Sequence, residues 1–248
     1  MPRVTRAMLA DSAALLRRLW AGEDRRPRRP GRPVSYLSLD CAIEPPPPLI
    51  LAALGPKSQA LAGRCFDAAL LHSHWSDAAV AACAARVREA AERAGRDPAR
   101  VQVWSCLVTA CALPEPVMLR HVVRRMTTYL QIPGYGELIV DANGWDRAVL
   151  DRLRAHPLLQ AGLADAMEFS LDELRQLRDV YPESWLREGN AVGSPAHCAQ
   201  RILDQFAAGA SGVILHASAP AEMTALLDAY AALRPAARFA GRSPVPGR

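Results

Sequence analysis

The chain has 248 residues, half of them hydrophobic and 22% charged, with a formal net charge of +5. That length buries a real core in one large domain or two small ones, and the composition is ordinary for a soluble globular protein. Part of the positive charge sits in one run, Asp24 to Pro33. It reads as a solvated, proline-stiffened loop, and no helix interleaved with stacking aromatics accompanies it, so no nucleic-acid partner is expected. The six cysteines show no CxxC pair and no metal-ligand spacing, so no metal site is expected, and those among apolar residues behave as small hydrophobes. There is no signal-peptide core and no apolar run of membrane-spanning length, which predicts a reduced, cytoplasmic protein with no membrane partner.

In chain order, the apolar spacing predicts a helix over 7–20 that stops at Gly22. An Arg/Pro loop, a short extended stretch (35–40) and four prolines lead to a first strand, Leu49 to Leu54, and then a helix from about Ser58 to Arg64. Phe66 to Ser73 is a second short strand, followed by a helix that Ser76 caps and that ends at Gly95. Val101 to Ala112 is a nearly all-apolar strand, the pattern of a strand covered on both faces. A helix over about 115–130 follows. Residues 131–190 break the rhythm, with helical pieces near 146–155 and 171–179. Alternation returns at Ser194-Pro195, a capping serine with proline at the first helical position. That helix ends at Gly209, strand Gly212 to His216 follows, and Pro220 starts a last helix.

Strands alternating with helices predict parallel βαβ units. The clean strand count is four, too few for a closed eight-stranded barrel unless the irregular middle hides another strand. A strand edge at Leu49 to Leu54 is expected to be open, favouring homo-oligomers or self-association.

Lys57 is the only lysine in a chain that writes every other cation as arginine. It lies in Ala53-Leu54-Gly55-Pro56-Lys57-Ser58, a strand–turn–helix junction of the kind that binds phosphate at the unsatisfied amides of a helix N-terminus. Gly55 allows close backbone approach, Lys57 brings a full charge and Ser58 a hydroxyl. On spacing alone, an ordinary βα turn with an exposed lysine fits as well.

The segment PPPPLILAALGPKSQALAGRCFDAALL resembles the later strands of bacterial-luciferase-like oxidoreductases, especially members predicted to use the deazaflavin coenzyme F420. AERAGRDP, YLQIPGYGELI and GSPAHCAQRILDQFAAGASGVILHAS match the same family in order, from about Leu15 to Leu233. The resemblance implies an α/β fold of TIM-barrel type with the cofactor at the C-terminal mouth of the strands. It also implies that the cofactor phosphate rests on Ala53, Leu54, Gly55, Pro56, Lys57 and Ser58. The implied chemistry is hydride transfer between F420 and a small-molecule organic substrate, with an FMN-dependent monooxygenase as the alternative. In this alignment Met1 falls where relatives have their fourth or fifth helix. The early strands are therefore expected to be absent, together with the residues they place beside the reactive ring, and no catalytic residue is assigned. Residues 1–234 are read as one partial barrel domain with an irregular insertion at about 131–190, and 235–248 as a disordered tail.

Two other readings stand beside this one. His72-x-His74 at a strand end has the pattern of a metal pair in hydrolase barrels, although no companion set of His and Asp follows on later strands. A non-catalytic barrel remnant acting through chain–chain association is the second. Within the oxidoreductase reading, His72, His74, Tyr135 and His216 are candidate substrate-pocket residues. Tyr129, Tyr135 and Trp145 flank a Gly-rich loop that either closes over a flat ring or uses these residues for core packing and loop anchoring, and the second reading fits each at least as well. Ser218 is read as a cap for the last helix.

Overall fold

The computed structural model describes residues 4–23, 37–160 and 165–235. The Asp24 to Pro33 run and the tail from 236 onward lie outside the described residues, so the loop and tail expectations find no counterpart here. The chain divides into two compact units, one of Met1–His72, Ala81–Trp104 and Gly209–Gly212, the other of Ser73–Val80, Ser105–Ala208 and Val213–Arg248.

The first unit opens with α1 (Arg6–Trp20), whose cap Thr5 accepts the Met8 amide at 3.2 Å. β1 (Ile50–Ala52), α2 (Pro56–Cys65) and β2 (Ala68–Leu70) follow. Next come α3 (Asp77–Arg93), whose first turn belongs to the second unit, and β3 (Gln102–Cys111), which continues into it. α2 starts two residues before the expected Ser58 because Pro56 takes the first helical position, where its missing N–H is not needed. β1, β2 and β3 run parallel, with Ile50 opposite Ala68 and Ala68 opposite Gln102.

Asp67 ties the strand entrances together. Its carboxylate takes both Nη2 contacts of Arg17 at 3.0 Å and the Leu49 amide at 2.8 Å, and its carbonyl takes the Gln102 amide at 3.0 Å. α2 approaches α3 through Gly63, where any Cβ would overlap the Val87 carbonyl oxygen. This glycine lies inside a helix for closeness of packing, not for flexibility.

In the second unit, β3 is followed by one long helical run: α4 (Glu115–Met118), a π-helical turn (Leu119–Val123) and α5 (Arg124–Leu130). The irregular middle proves to be largely helical, with α6 (Tyr135–Asn143), α7 (Arg147–Arg154), α8 (Leu171–Arg178) and α9 (Glu183–Glu188). It ends in the hidden strand, β4 (Asn190–Gly193), parallel to β3 with Val108 opposite Asn190. α10 (Pro195–Ala207) begins as read, with Ser194 Oγ accepting the His197 amide at 3.3 Å. β5 (Gly212–His216) and α11 (Thr224–Leu233) complete the chain.

β5 pairs with β3. Ser211 N reaches Val103 O at 2.6 Å and Thr109 Oγ1 reaches His216 O at 3.1 Å, so the two strands advance in the same direction. The core of this unit gathers Leu107, Ala191, Cys198, Ile202 and Leu226, with Phe206, Leu215 and Tyr230 packed against it. Each fully buried leucine contributes about 1.5–3 kcal/mol through removal of apolar surface from water. The four strands read from the sequence are thus present, and β4 is the fifth among the described residues.

Candidate functional site

In the first unit, the turn after β1 has the form expected of an anion-binding helix start. Gly55 is the N-cap, with φ −95° and ψ 166°, an extended conformation open to any residue. The glycine is therefore not required by backbone strain. A Cβ built there meets nothing within 4 Å, so its place is open space. Lys57 is exposed. Among the described residues its amide makes no backbone hydrogen bond, whereas the Ser58 and Gln59 amides both turn back to Gly55 O at 3.1 and 3.0 Å. The Ser58 hydroxyl also donates to Gly55 O, at 2.9 Å, and so offers a ligand only its lone pairs.

A residue that the sequence reading passed over, Gln59, holds this turn. Its side chain is 1% exposed, and Nε2 donates to Leu54 O at 2.9 Å while Oε1 accepts from Arg86 Nη1. A helical glutamine that reaches back five residues fixes the loop carbonyls and leaves the outer side of the turn clear. The turn thus fits a phosphate through Lys57, its amide and the open position at Gly55.

In the second unit, His74 stands at φ +68°, a left-handed conformation uncommon outside glycine, and is 1% exposed. Its strained backbone is held by Asn143, whose Nδ2 donates to His74 O at 2.9 Å and whose Oδ1 accepts the Ser76 amide at 2.7 Å. The His74 ring lies against Asn190, with Nδ1 2.8 Å from Oδ1. Asn190 Nδ2 donates to Leu186 O at 3.0 Å, which fixes the amide orientation. His74 Nδ1 therefore carries the hydrogen of this contact. Neither asparagine carried a sequence signal. Both lie in the segment 131–190 read as irregular.

The His74 ring is 6.1 Å from that of Tyr129, which stacks on Tyr135 at 5.6 Å. The structure thus brings two of the predicted pocket residues, His74 and Tyr135, into one row through Tyr129. Burial, then Tyr129, raises the pKa of the Tyr135 hydroxyl. The expectation of a Gly-rich closing loop is corrected here. Gly134 is the left-handed N-cap of α6, and Gly136 lies within that helix because a Cβ would overlap Leu130 O. Trp145 stacks on Trp185 at 4.5 Å, a packing role.

His216 ends β5, and its Nδ1 is buried without a hydrogen-bond partner among the described residues. Burial, then the Arg125 charge, lowers its pKa below the ordinary 6.5, which favours the neutral imidazole. Ser218 does not cap the last helix; its hydroxyl donates to Thr109 O at 2.8 Å and pins the ends of β3 and β5 together. His72 closes the first unit and is partly exposed. Among the described residues no group of three or more His, Cys, Asp or Glu is arranged to hold a metal ion. No described helix is long and apolar enough to cross a membrane.

Parallel strands joined by helices place the chain in the (β/α) class of folds to which barrels belong. The sequence model of the luciferase-like monooxygenases matches residues 2–212, and the chain belongs to that family. Solved structures agree in fold. A coenzyme F420-dependent tetrahydromethanopterin reductase from Methanopyrus kandleri is 13% identical at a TM-score of 0.69, covering 89% of this chain and 60% of its own. An F420-dependent secondary alcohol dehydrogenase, in complex with an F420–acetone adduct, is 14% identical at a TM-score of 0.62, covering 93% and 62%. A riboflavin lyase with modified FMN and riboflavin is 14% identical at a TM-score of 0.52, covering 94% and 58%. The chain thus spans about three fifths of the length of these proteins. A search of curated proteins gives no match.

Proposed function

We propose that this chain is a cytoplasmic oxidoreductase domain that binds coenzyme F420, with FMN as the alternative, and serves hydride transfer to or from a small organic substrate. The observation that carries this reading is the Gly-Pro-Lys turn, with its open Gly55 position, exposed Lys57 and unengaged Lys57 amide, in a member of the luciferase-like family. The Lys57 ammonium and amide hold the phosphate, Gly55 lets it approach, and Gln59 keeps the turn in shape. The bound ring supplies the hydride donor or acceptor. In the second unit His74, Tyr135 and His216 orient the substrate, and His216, whose neutral form burial favours, is able to accept a proton. F420 takes precedence because two of the similar structures above are of F420-dependent enzymes. Fluorescence titration of the purified chain with F420 and with FMN tests the reading. Saturable binding of F420 that Lys57→Ala weakens is the expected result. Absence of binding for both cofactors overturns it.

A second reading, a non-catalytic barrel piece that associates with other chains, rests on β1. Among the described residues this strand pairs only with β2, and Ile50 on it is 50% exposed. An apolar strand with unpaired backbone groups recruits another strand. Sedimentation velocity distinguishes the two: association that Ile50→Lys abolishes, without cofactor binding, selects this second reading.

A further inference from the structure

The helical run after β3 carries more positive charge on one side than the rest of the molecule explains. Arg120, Arg124 and Thr128 follow one another at four-residue spacing, and His121 and Arg125 do the same beside them. The π-helical turn over Leu119–Val123 lies within this stretch, and such turns are frequent at functional sites. With Asp165 and Ala217 these side chains line an open cavity of about 210 Å³. Ala217 directly follows β5, at the strand end where folds of this class bind their ligands.

The charges are not balanced from within. Arg17, Arg147, Arg154 and Arg201 each meet a carboxylate at ion-pair distance. Among the described residues none of Arg120, Arg124 and Arg125 does so within 4.0 Å. Arg125 donates instead to the Tyr129 hydroxyl at 3.3 Å. Burial, then the charges of Arg125 and Arg120, lower the pKa of Arg124, with Asp165 opposing. His121 Nδ1 is buried with no hydrogen-bond partner among the described residues, and its Nε2 is 4.0 Å from Glu222. Three guanidiniums and an imidazole facing one cavity, against the single carboxylate of Asp165 on its wall, are an incomplete charge arrangement that an oxyanion completes.

We propose that this cavity is an oxyanion site that receives the carboxylate or phosphate of an anionic substrate. Guanidinium forks match the paired oxygens of such groups with two parallel N–H donors. Arg125, which also acts on the His216 imidazole, links the anchored group to the proposed substrate residues of the same unit. The assignment to substrate rests on the function proposed above, whereas anion binding by the cavity does not.

The test uses the full chain without cofactor, titrated calorimetrically with inorganic phosphate and with succinate at constant ionic strength. Saturable binding is expected, weakened at least about tenfold by Arg124→Gln and partly restored in Arg124→Lys, as for loss and replacement of a charge-assisted pair. Circular dichroism confirms that the variants are folded, and Arg125→Gln repeats the measurement should Arg124→Gln fail to fold. Because the first unit's turn is also proposed to hold phosphate, Lys57→Ala is expected to remove at most that component and to leave the Arg124-dependent phosphate binding in place. If Lys57→Ala abolishes it, the phosphate sits on the first unit's turn and the cavity proposal falls while the cofactor reading stands. Phosphate and succinate binding no better than chloride, or binding that survives both arginine variants, also overturns the proposal. F420 titration of Arg124→Gln separates the sources of the anion. Unchanged F420 affinity assigns the site to substrate, and weakened affinity assigns it to the cofactor's acidic tail and overturns the substrate assignment.

Discussion

Gly55 and Gly63 lie eight positions apart, at the start and within α2, and the structure gives them opposite fates on substitution. At Gly55 the backbone is extended and a Cβ faces open space, so Gly55→Val leaves folding stability within about 1 kcal/mol. The branched side chain then stands in the path of the proposed phosphate. It removes a charge-assisted hydrogen bond to the turn, on the order of 1.5–3 kcal/mol, which is roughly 10- to 100-fold in cofactor affinity. Lys57→Ala acts more weakly, about 1 kcal/mol, because the ammonium is exposed and screened by salt. Gly63→Ala does the reverse. Its Cβ would overlap the Val87 carbonyl and crowd Ala90 and Ala91, and overpacking of this kind destabilises by about 1–3 kcal/mol. The assay is paired: urea unfolding for stability and fluorescence titration with F420 and FMN for affinity. A Gly55→Val variant that binds cofactor as the parent does refutes the cradle. One that unfolds the chain refutes the claim that the position is open.

Three further outcomes are expected. Arg201, with a side chain 8% exposed, pairs with Asp77 and donates to Glu188 O at 2.7 Å, so Arg201→Ala should lower unfolding free energy by about 2–4 kcal/mol, with Asp77→Asn recovering part of it in the double variant. Arg154, donating to Glu137 at 2.5 and 2.8 Å, holds that carboxyl well below its ordinary range, at about 2. The depressed value contributes stability above about pH 4.5 that is lost as pH falls toward 2, about 1–2 kcal/mol after screening, and acid titration of Glu137→Gln should show that slope flattened. His216 is depressed by burial and Arg125, so the unfolded chain binds the proton more tightly. Stability should be full above pH 6.5 and fall below it, and His216→Gln should remove that part of the pH dependence in thermal melts.

The strands and caps that the sequence revealed are those whose cause is local. β3 reads as a strand because its later half is buried on both faces, with Leu107, Val108, Thr109, Ala110 and Cys111 all inaccessible. Ser194-Pro195 reads as a helix start because cap and first-turn chemistry are written in adjacent residues. β4 escaped because Asn190-Ala-Val-Gly holds a single β-branched residue and opens on an asparagine. Its strand character comes from pairing with Val108–Cys111, more than seventy positions earlier, and β propensity is largely such context. α6 escaped for a related reason. Its glycines read as a loop, whereas Gly136 is there to let the helix start meet Leu130 O.

The same division runs through the site. The helix start at Gly-Pro-Lys was legible because cap and first-turn chemistry form a short local motif, and a lone lysine among arginines marks it. What holds the turn was not, since Gln59 and Arg86 become partners only when α2 and α3 pack. His74 was legible as a histidine at a strand end, but its tautomer depends on Asn190, 116 positions away. The arginines at 120, 124 and 125 carry no mark of their own in a chain that writes nearly every cation as arginine. Only spatial arrangement separates them from the surface arginines that meet carboxylates. An unpaired cluster beside a cavity at a strand end carries information that composition hides, because like charges are brought together only against their own repulsion. An anion that binds there relieves that repulsion, and the cluster then stabilises the liganded chain more than the free one.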